Sequence, residues 1–157
     1  MSSPYRILFV CLGNICRSPA GENVMRHLIN HKGLTNISVN SAGTAGYHIG
    51  KSPDQRMCDE LKSRDIPVTG SAQQFEKKHF DEYDLIIPMD HSNEKNILRL
   101  ARNIQDREKV TPFMRYCSEF TNTEVPDPYY DGQDAFALVV DIMLDGCKGI
   151  LDDVTNA

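Results

Sequence analysis

A chain of 157 residues, 40% apolar and 25% charged, is the size of one ordinary domain and has the composition of a folded globule rather than a disordered tract. Its formal charge of −5 argues against general nucleic-acid binding, which needs a basic face, so an anionic substrate must be drawn in by a local field. No run approaches the ~20 apolar residues of a membrane span, no secretory leader pattern opens the chain, and the five cysteines form an odd set without scaffold spacing, which fits free thiols in a reducing compartment and predicts the cytoplasm.

Strand and helix signals alternate along the chain. Tyr5 to Val10 reads as a buried strand, and Pro19 to about Lys32 as a helix with Ala20, Val24 and Leu28 on one face, closed by Gly33. Ile37 to Asn40 is a short second strand. Ser52-Pro53-Asp54-Gln55 reads as a capping box opening a helix that carries Met57 and Leu61 and stops before Ile66-Pro67. Leu85, Ile86 and Ile87 form a third strand, followed by a helix with Ile97, Ala101 and Ile104 at helical spacing. Val110 to Phe113 is a weak fourth strand interrupted by Pro112, and a last helix from about Asp134 to Leu151 carries Phe136, Val140, Met143, Cys147 and Ile150. Such alternation predicts one α/β domain spanning 1–157, a parallel sheet with helices on both faces. Ligands of these sheets bind beyond the carboxyl ends of the strands, where Cys11, Ser41, Met89-Asp90 and Asp127 are expected.

The most informative stretch joins the first strand to the first helix: Cys11-Leu12-Gly13-Asn14-Ile15-Cys16-Arg17-Ser18-Pro19. A loop between a strand end and a helix N-terminus aims backbone N–H groups and a positive dipole end at one spot, which suits a phosphate dianion. The same field suits an anionic nucleophile at Cys11, and Arg17 can grip two phosphate oxygens at once. Gly13 and Asn14 tolerate the φ/ψ values needed to wrap amides around an anion. No Walker-type loop is present, and Cys11 and Cys16 lack a second ligand pair, so zinc is not expected.

This stretch, together with Asp127-Pro128-Tyr129-Tyr130 far downstream, resembles the low-molecular-weight protein tyrosine phosphatases. Ser41-Ala42-Gly43-Thr44, Ser52-Pro53-Asp54 and Met89-Asp90-His91-Ser92-Asn93 follow in the family's order, so the resemblance covers nearly the whole chain. It implies a four-stranded parallel sheet and metal-independent, cofactor-free hydrolysis of phosphotyrosine proteins and small aryl phosphates through a cysteinyl-phosphate. Cys11 is then the nucleophile, Arg17 the phosphate clamp and Asp127 the general acid and base. Leu12, Gly13, Asn14, Ile15, Cys16 and Ser18 surround the phosphate, and Ser18 either donates to the Cys11 sulfur or caps the helix. Asn14 and Ser41 brace the loop, while Asp90 braces the site or caps the following helix. Tyr47, Tyr129 and Tyr130 wall a slot for a flat ring, with Ile15 on its floor. Tyr129 and Tyr130 are also candidate phosphorylation sites, and Cys16 is a redox partner for Cys11. A monomer is expected.

Two departures stand out: Val68 to Gln74 lacks the loop-bracing histidine of many relatives, with Gly70 or Ser71 near its place, and Tyr47 stands where several carry tryptophan. None of the five histidines falls in a motif with evident chemistry. Rival readings fare worse. An arsenate reductase of this fold needs two close cysteines near the third strand, and Leu85 to Asn96 has none. Arginine phosphatases tend to carry threonine at the position of Ile15, and a phosphate-binding module without turnover needs neither nucleophile nor acid.

Overall fold

A computed structural model describes residues 4–156, so residues 1–3 and 157 of the expected domain lie outside the described residues. Three parallel strands are formed among the described residues: β1 (Tyr5–Cys11), β2 (Ile37–Gly43) and β3 (Leu85–Pro88), in the order β2-β1-β3. The central strand pairs Tyr5 with Ile37 through Cys11 with Gly43 on one side, and Ile7 with Leu85 through Val10 with Pro88 on the other. Buried on both faces, β1 is a continuous apolar run from Ile7 to Val10, as a central parallel strand must be.

The expected fourth strand is absent among the described residues. Val110 makes only an isolated parallel bridge to Ile86, held by Ile86 N–H to the Lys109 carbonyl (2.9 Å) and Thr111 N–H to the Ile86 carbonyl (3.0 Å). The next rung would need an N–H on residue 88 donating to the Thr111 carbonyl, but Pro88 has none, and the chain turns at once into a 3-10 helix, Phe113–Tyr116.

Six α-helices are present among the described residues: α1 (Arg17–His31), α2 (Gln55–Ser63), α3 (His79–Glu82), α4 (His91–Arg99), α5 (Ile104–Glu108) and α6 (Gln133–Thr155). Helices cover both faces of the sheet. The larger core joins Phe9 and Ile87 to Val24 and Met25 of α1, Met57 and Leu61 of α2, and Phe136, Val140, Met143, Cys147 and Ile150 of α6. The smaller joins Leu8, Val10 and Ile86 to Phe80 of α3 and Ile97 of α4.

Several boundaries differ from the sequence expectation for local reasons. Helix α1 begins at Arg17, before Ser18-Pro19, and its N-cap Cys16 makes no side-chain cap bond. Asp54 rather than Ser52 caps α2, accepting from the Arg56 N–H at 2.9 Å. The expected helix through Ile104 is two helices, because Asn103 in extended backbone accepts from the Asp106 N–H and starts α5 afresh. Strand β2 runs on to Gly43, so Ser41 stands on a strand rather than in the loop after it.

Candidate functional site

The loop from Leu12 to Cys16 is built to face one point. Neighbouring segments hold carbonyls at and beside it: Thr44 N–H bonds the Cys11 carbonyl (2.9 Å), Ala45 N–H that of Leu12 (2.9 Å) and Asp54 N–H that of Ile15 (2.8 Å). The backbone N–H groups of residues 12–17, by contrast, are paired with no other group among the described residues. Consecutive unpaired amides at a helix start form an anion cradle. Asn14 provides the sharp bend, with φ 57°. Gly13 supplies room rather than an unusual φ, since a Cβ there would stand 3.1 Å from Cδ2 of His48. Gly43 is required by close approach, because a Cβ would meet the Leu12 carbonyl oxygen at 2.7 Å.

Above the cradle lies a pocket of about 270 Å³ lined by Cys11, Leu12, Gly13, Ile15, Cys16, Arg17, Tyr47, His48, Asp127, Tyr129 and Tyr130. Arg17 is 3% exposed, and its Nη1 donates to Asp90 Oδ2 at 2.7 Å and to the Val125 carbonyl at 3.1 Å. Its Nη2 lies 3.7 Å from Asp127 Oδ2. Burial works against the charge on Arg17, but Cys11, Asp90 and Asp127 outweigh it and hold the guanidinium protonated more firmly than usual. Asp90 serves two ends at once: Oδ1 caps α4 by accepting from the Asn93 N–H at 2.7 Å, while Oδ2 holds Arg17.

Asp127 is partly exposed on the loop before α6, and its Oδ1 accepts from the Tyr129 N–H at 3.1 Å. The rings of Tyr129 and Tyr130 meet edge to face at 5.0 Å, and Tyr47, which lines the same pocket, is 73% exposed. Burial pushes the Cys16 thiol well above its usual range, with Asp54 and Cys11 adding to the effect.

Asn14 and Ser18 do not line the pocket; their side chains are buried behind the loop with Ser41. There Ser18 Oγ lies 3.0 Å from Cys11 Sγ, and Asn14 Nδ2 donates to both Ser18 Oγ (2.8 Å) and Ser41 Oγ (2.9 Å). Ser18 makes no N-cap, since α1 has already begun at Arg17.

Four participants escaped sequence reasoning. His48 lines the pocket although it falls in no motif. Gln73 donates its N–H to Asn14 Oδ1 at 2.9 Å. Arg56 steadies one wall, donating to the Tyr129 carbonyl at 3.0 Å with its guanidinium 5.4 Å from that ring. Glu22, one helical turn after Ser18, accepts from Ser41 Oγ at 2.5 Å. Gly70, near the place of the missing histidine, has φ 103°, and a Cβ on it would come within 3.0 Å of Glu22 Oε2. The spacing of Ser18, Glu22 and Arg26 by four was the available signal for Glu22.

Comparison with known proteins agrees along nearly the whole chain. The family model for low molecular weight phosphotyrosine protein phosphatases matches residues 6–157. The Synechocystis protein slr0328 is 48% identical over 147 residues, covering 93% of this chain and 94% of its own. The Schizosaccharomyces pombe low molecular weight phosphotyrosine protein phosphatase is 39% identical over 138 residues, covering 87% and 88%. Among solved structures, the protein tyrosine phosphatase of Entamoeba histolytica, crystallised with Hepes in its active site, superposes with a TM-score of 0.93 at 38% identity over 97% of both chains. With the anion loop, the buried arginine and this likeness together, the chain belongs to the low molecular weight phosphotyrosine protein phosphatases and is a hydrolase of that family.

Proposed function

We propose that this chain, acting as one unit over 1–157, hydrolyses phosphotyrosine in proteins, and small aryl phosphates in vitro, through a cysteinyl-phosphate. The observation that carries the reading is the row of unpaired amides at 12–17 beside Cys11, with Arg17 buried and braced by Asp90 and with Asp127 at the rim. The Cys11 sulfur attacks phosphorus, the bond from phosphorus to the phenolic oxygen breaks, and Asp127 gives that oxygen its proton. Water then attacks phosphorus while Asp127 takes its proton; the P–S bond breaks, its electron pair returns to sulfur, and phosphate leaves. Amides and Arg17 bear the charge spread over the equatorial oxygens in both steps. Tyr47, Tyr129 and Tyr130 make the mouth deep and aromatic, which favours phosphotyrosine over the shorter phosphoserine.

The test is Cys11→Ser. It should abolish turnover and leave vanadate binding in place, because the amides and Arg17 remain. Retained hydrolysis would remove Cys11 from the nucleophile's role.

Cys16 stands in the same loop as a neutral, buried thiol. Peroxide would convert Cys11 to a sulfenic acid, and Cys16 would condense with it to a disulfide with loss of water, sparing it from further oxidation. In Cys16→Ser, inactivation should persist but thiol-driven recovery should be poor; full recovery would overturn this role. The five free cysteines support a reducing compartment such as the cytoplasm. A monomer is the working oligomeric state.

A further inference from the structure

We propose that Arg56 is a positioning residue for the proton transfer: it ties the loop carrying Asp127 to the anion cradle, so that the acid meets the departing phenolic oxygen. The inference rests on the phosphatase reading above, with Asp127 as general acid. It starts from how little else holds that loop. Asp127 Oδ2 lies 3.7 Å from Arg17 Nη2, beyond hydrogen-bond reach. The loop begins where Val125 N–H meets the Met89 carbonyl (2.9 Å) and ends as the chain enters α6 at Gln133. Between these points, among the described residues, one hydrogen bond reaches residues 126–131 from the rest of the molecule: Arg56 Nη1 to the Tyr129 carbonyl at 3.0 Å.

Arg56 is itself firmly aimed. Its Nε and Nη2 donate to the two oxygens of Asp54 at 3.0 and 2.9 Å, a forked pair that fixes the guanidinium plane. That leaves Nη1 for Tyr129. The guanidinium carbon lies 5.4 Å from the centre of the Tyr129 ring and 4.6 Å from that of Phe136 on α6, so ring faces hold it as well. Asp54 in turn donates its N–H to the Ile15 carbonyl in the cradle loop at 2.8 Å. A continuous path thus runs from the cradle through Asp54 and Arg56 to Tyr129, whose N–H closes it on Asp127 Oδ1 at 3.1 Å.

The last bond selects which oxygen carries the proton. An N–H donating to Oδ1 favours protonation of Oδ2, the oxygen nearer Arg17. In the first step the Cys11 sulfur attacks phosphorus and the bond to the phenolic oxygen breaks. Its electron pair passes to that oxygen, which takes the proton from Oδ2. A small misplacement of the donor costs much of its effect, and the need for a donor grows with the basicity of the departing phenol. Removing the Arg56 side chain should therefore loosen Tyr129 and misplace Asp127, while the amides and Arg17 still grip the phosphate.

Arg56→Met tests this, keeping the apolar stem and removing the fork. Asp54 still caps α2 through the backbone N–H of residue 56, and the Arg56 side chain is 39% exposed. The midpoint of thermal unfolding should therefore stay within about 4 °C of the parent's, and vanadate should inhibit equally well. Across a series of aryl phosphates, kcat/KM should fall roughly tenfold for phenols as basic as tyrosine, pKa about 10. It should hold within about twofold for dinitrophenyl phosphate, whose phenolate leaves unprotonated. Asp54→Asn keeps the cap but not the charged fork, and should widen the same gap. Adding Arg56→Met to Asp127→Asn should cost no more than Asp127→Asn alone, since both act through one proton. An equal loss across the series would make Arg56 a merely structural residue and overturn the inference. So would an unchanged series, or additive losses in the double variant. Asp127→Asn separates the two failures. If its own loss ignored the leaving group, the acid reading would fail and the inference with it; if its loss followed the leaving group while Arg56→Met kept the parent's slope, the inference alone would fail.

Discussion

At the scale of single residues, the site divides into groups that face the pocket and groups that hold them. Asp127 belongs to the first, 3.7 Å from the guanidinium of Arg17 and open to a departing phenol. Asp127→Asn should lower kcat by roughly 10²–10⁴-fold, the usual worth of a positioned proton donor. The loss should shrink for phenols of low pKa, which leave unprotonated; an equal loss across such a series would exclude an acid role. Tyr47 and Tyr130, 73% and 92% exposed, line the same pocket. Replacing either by alanine should raise KM for phosphotyrosine peptides more than for small alkyl phosphates. Asp90 belongs to the second group. Its two oxygens tie α4 to Arg17, so Asp90→Ala should free a buried guanidinium and cost both stability and activity.

At the scale of elements, close approaches between helices determine the frame. Gly146 and Gly149 on α6 let the 3-10 helix Phe113–Tyr116 lie against it: a methyl on Gly146 would enter the Phe113 ring, and one on Gly149 the Tyr116 carbonyl oxygen. A ring can shift, but a backbone carbonyl moves only with its whole segment. Gly149→Ala should therefore destabilise by roughly 1–3 kcal/mol, as overpacking does, measured as a lowered midpoint of denaturant unfolding. The same face explains why Val110 to Phe113 stops being a strand: Pro88 has no N–H for the next rung, and Phe113 is wholly buried in the large core, against Phe9 at 6.1 Å. Helix α1 is the element that serves both frame and site, with Arg17, Ser18 and Glu22 spaced down its buried side.

For the molecule as a whole, the smaller core carries a pH signature. His79 is buried against Phe75, and its Nδ1 accepts from the Glu76 N–H at 2.8 Å. Burial holds its imidazole below the usual range, and burial with the nearby charge of His31 does the same to His27. An unfolded histidine protonates near pH 6.5, so below that the unfolded chain binds protons that the fold resists. Stability should therefore be full above about pH 7 and decline as pH falls through that range, until the folded-state pKa values are passed. In His79→Asn, which can keep the bond from Glu76, the decline between about pH 7 and 5 should be shallower. A slope identical to that of the parent would assign the effect elsewhere.

Much of this protein was legible from local pattern. The apolar run at Ile7 to Val10, the Gly-Asn bend and the helix beyond it are consecutive in the chain, and backbone sterics dictate a strand–loop–helix there whatever surrounds it. The anion cradle and Arg17 come with that unit, because amides at a helix start have no partners in their own helix. The burial of Phe136, Val140, Met143, Cys147 and Ile150 on α6 likewise follows from helical periodicity. What only tertiary structure decided is which distant groups meet this loop. Parallel strands require long crossovers, and these bring residues 41, 73, 90 and 127 to one sheet edge from separate segments, at spacings no periodic pattern encodes. Glu22 is the sharpest case: its position is near in sequence, yet a glutamate on a helix reads as solvated until β2 sets Ser41 against it. His48 and Arg56 take their places for the same reason, since side chains of loops and helix ends are aimed by packing rather than by spacing.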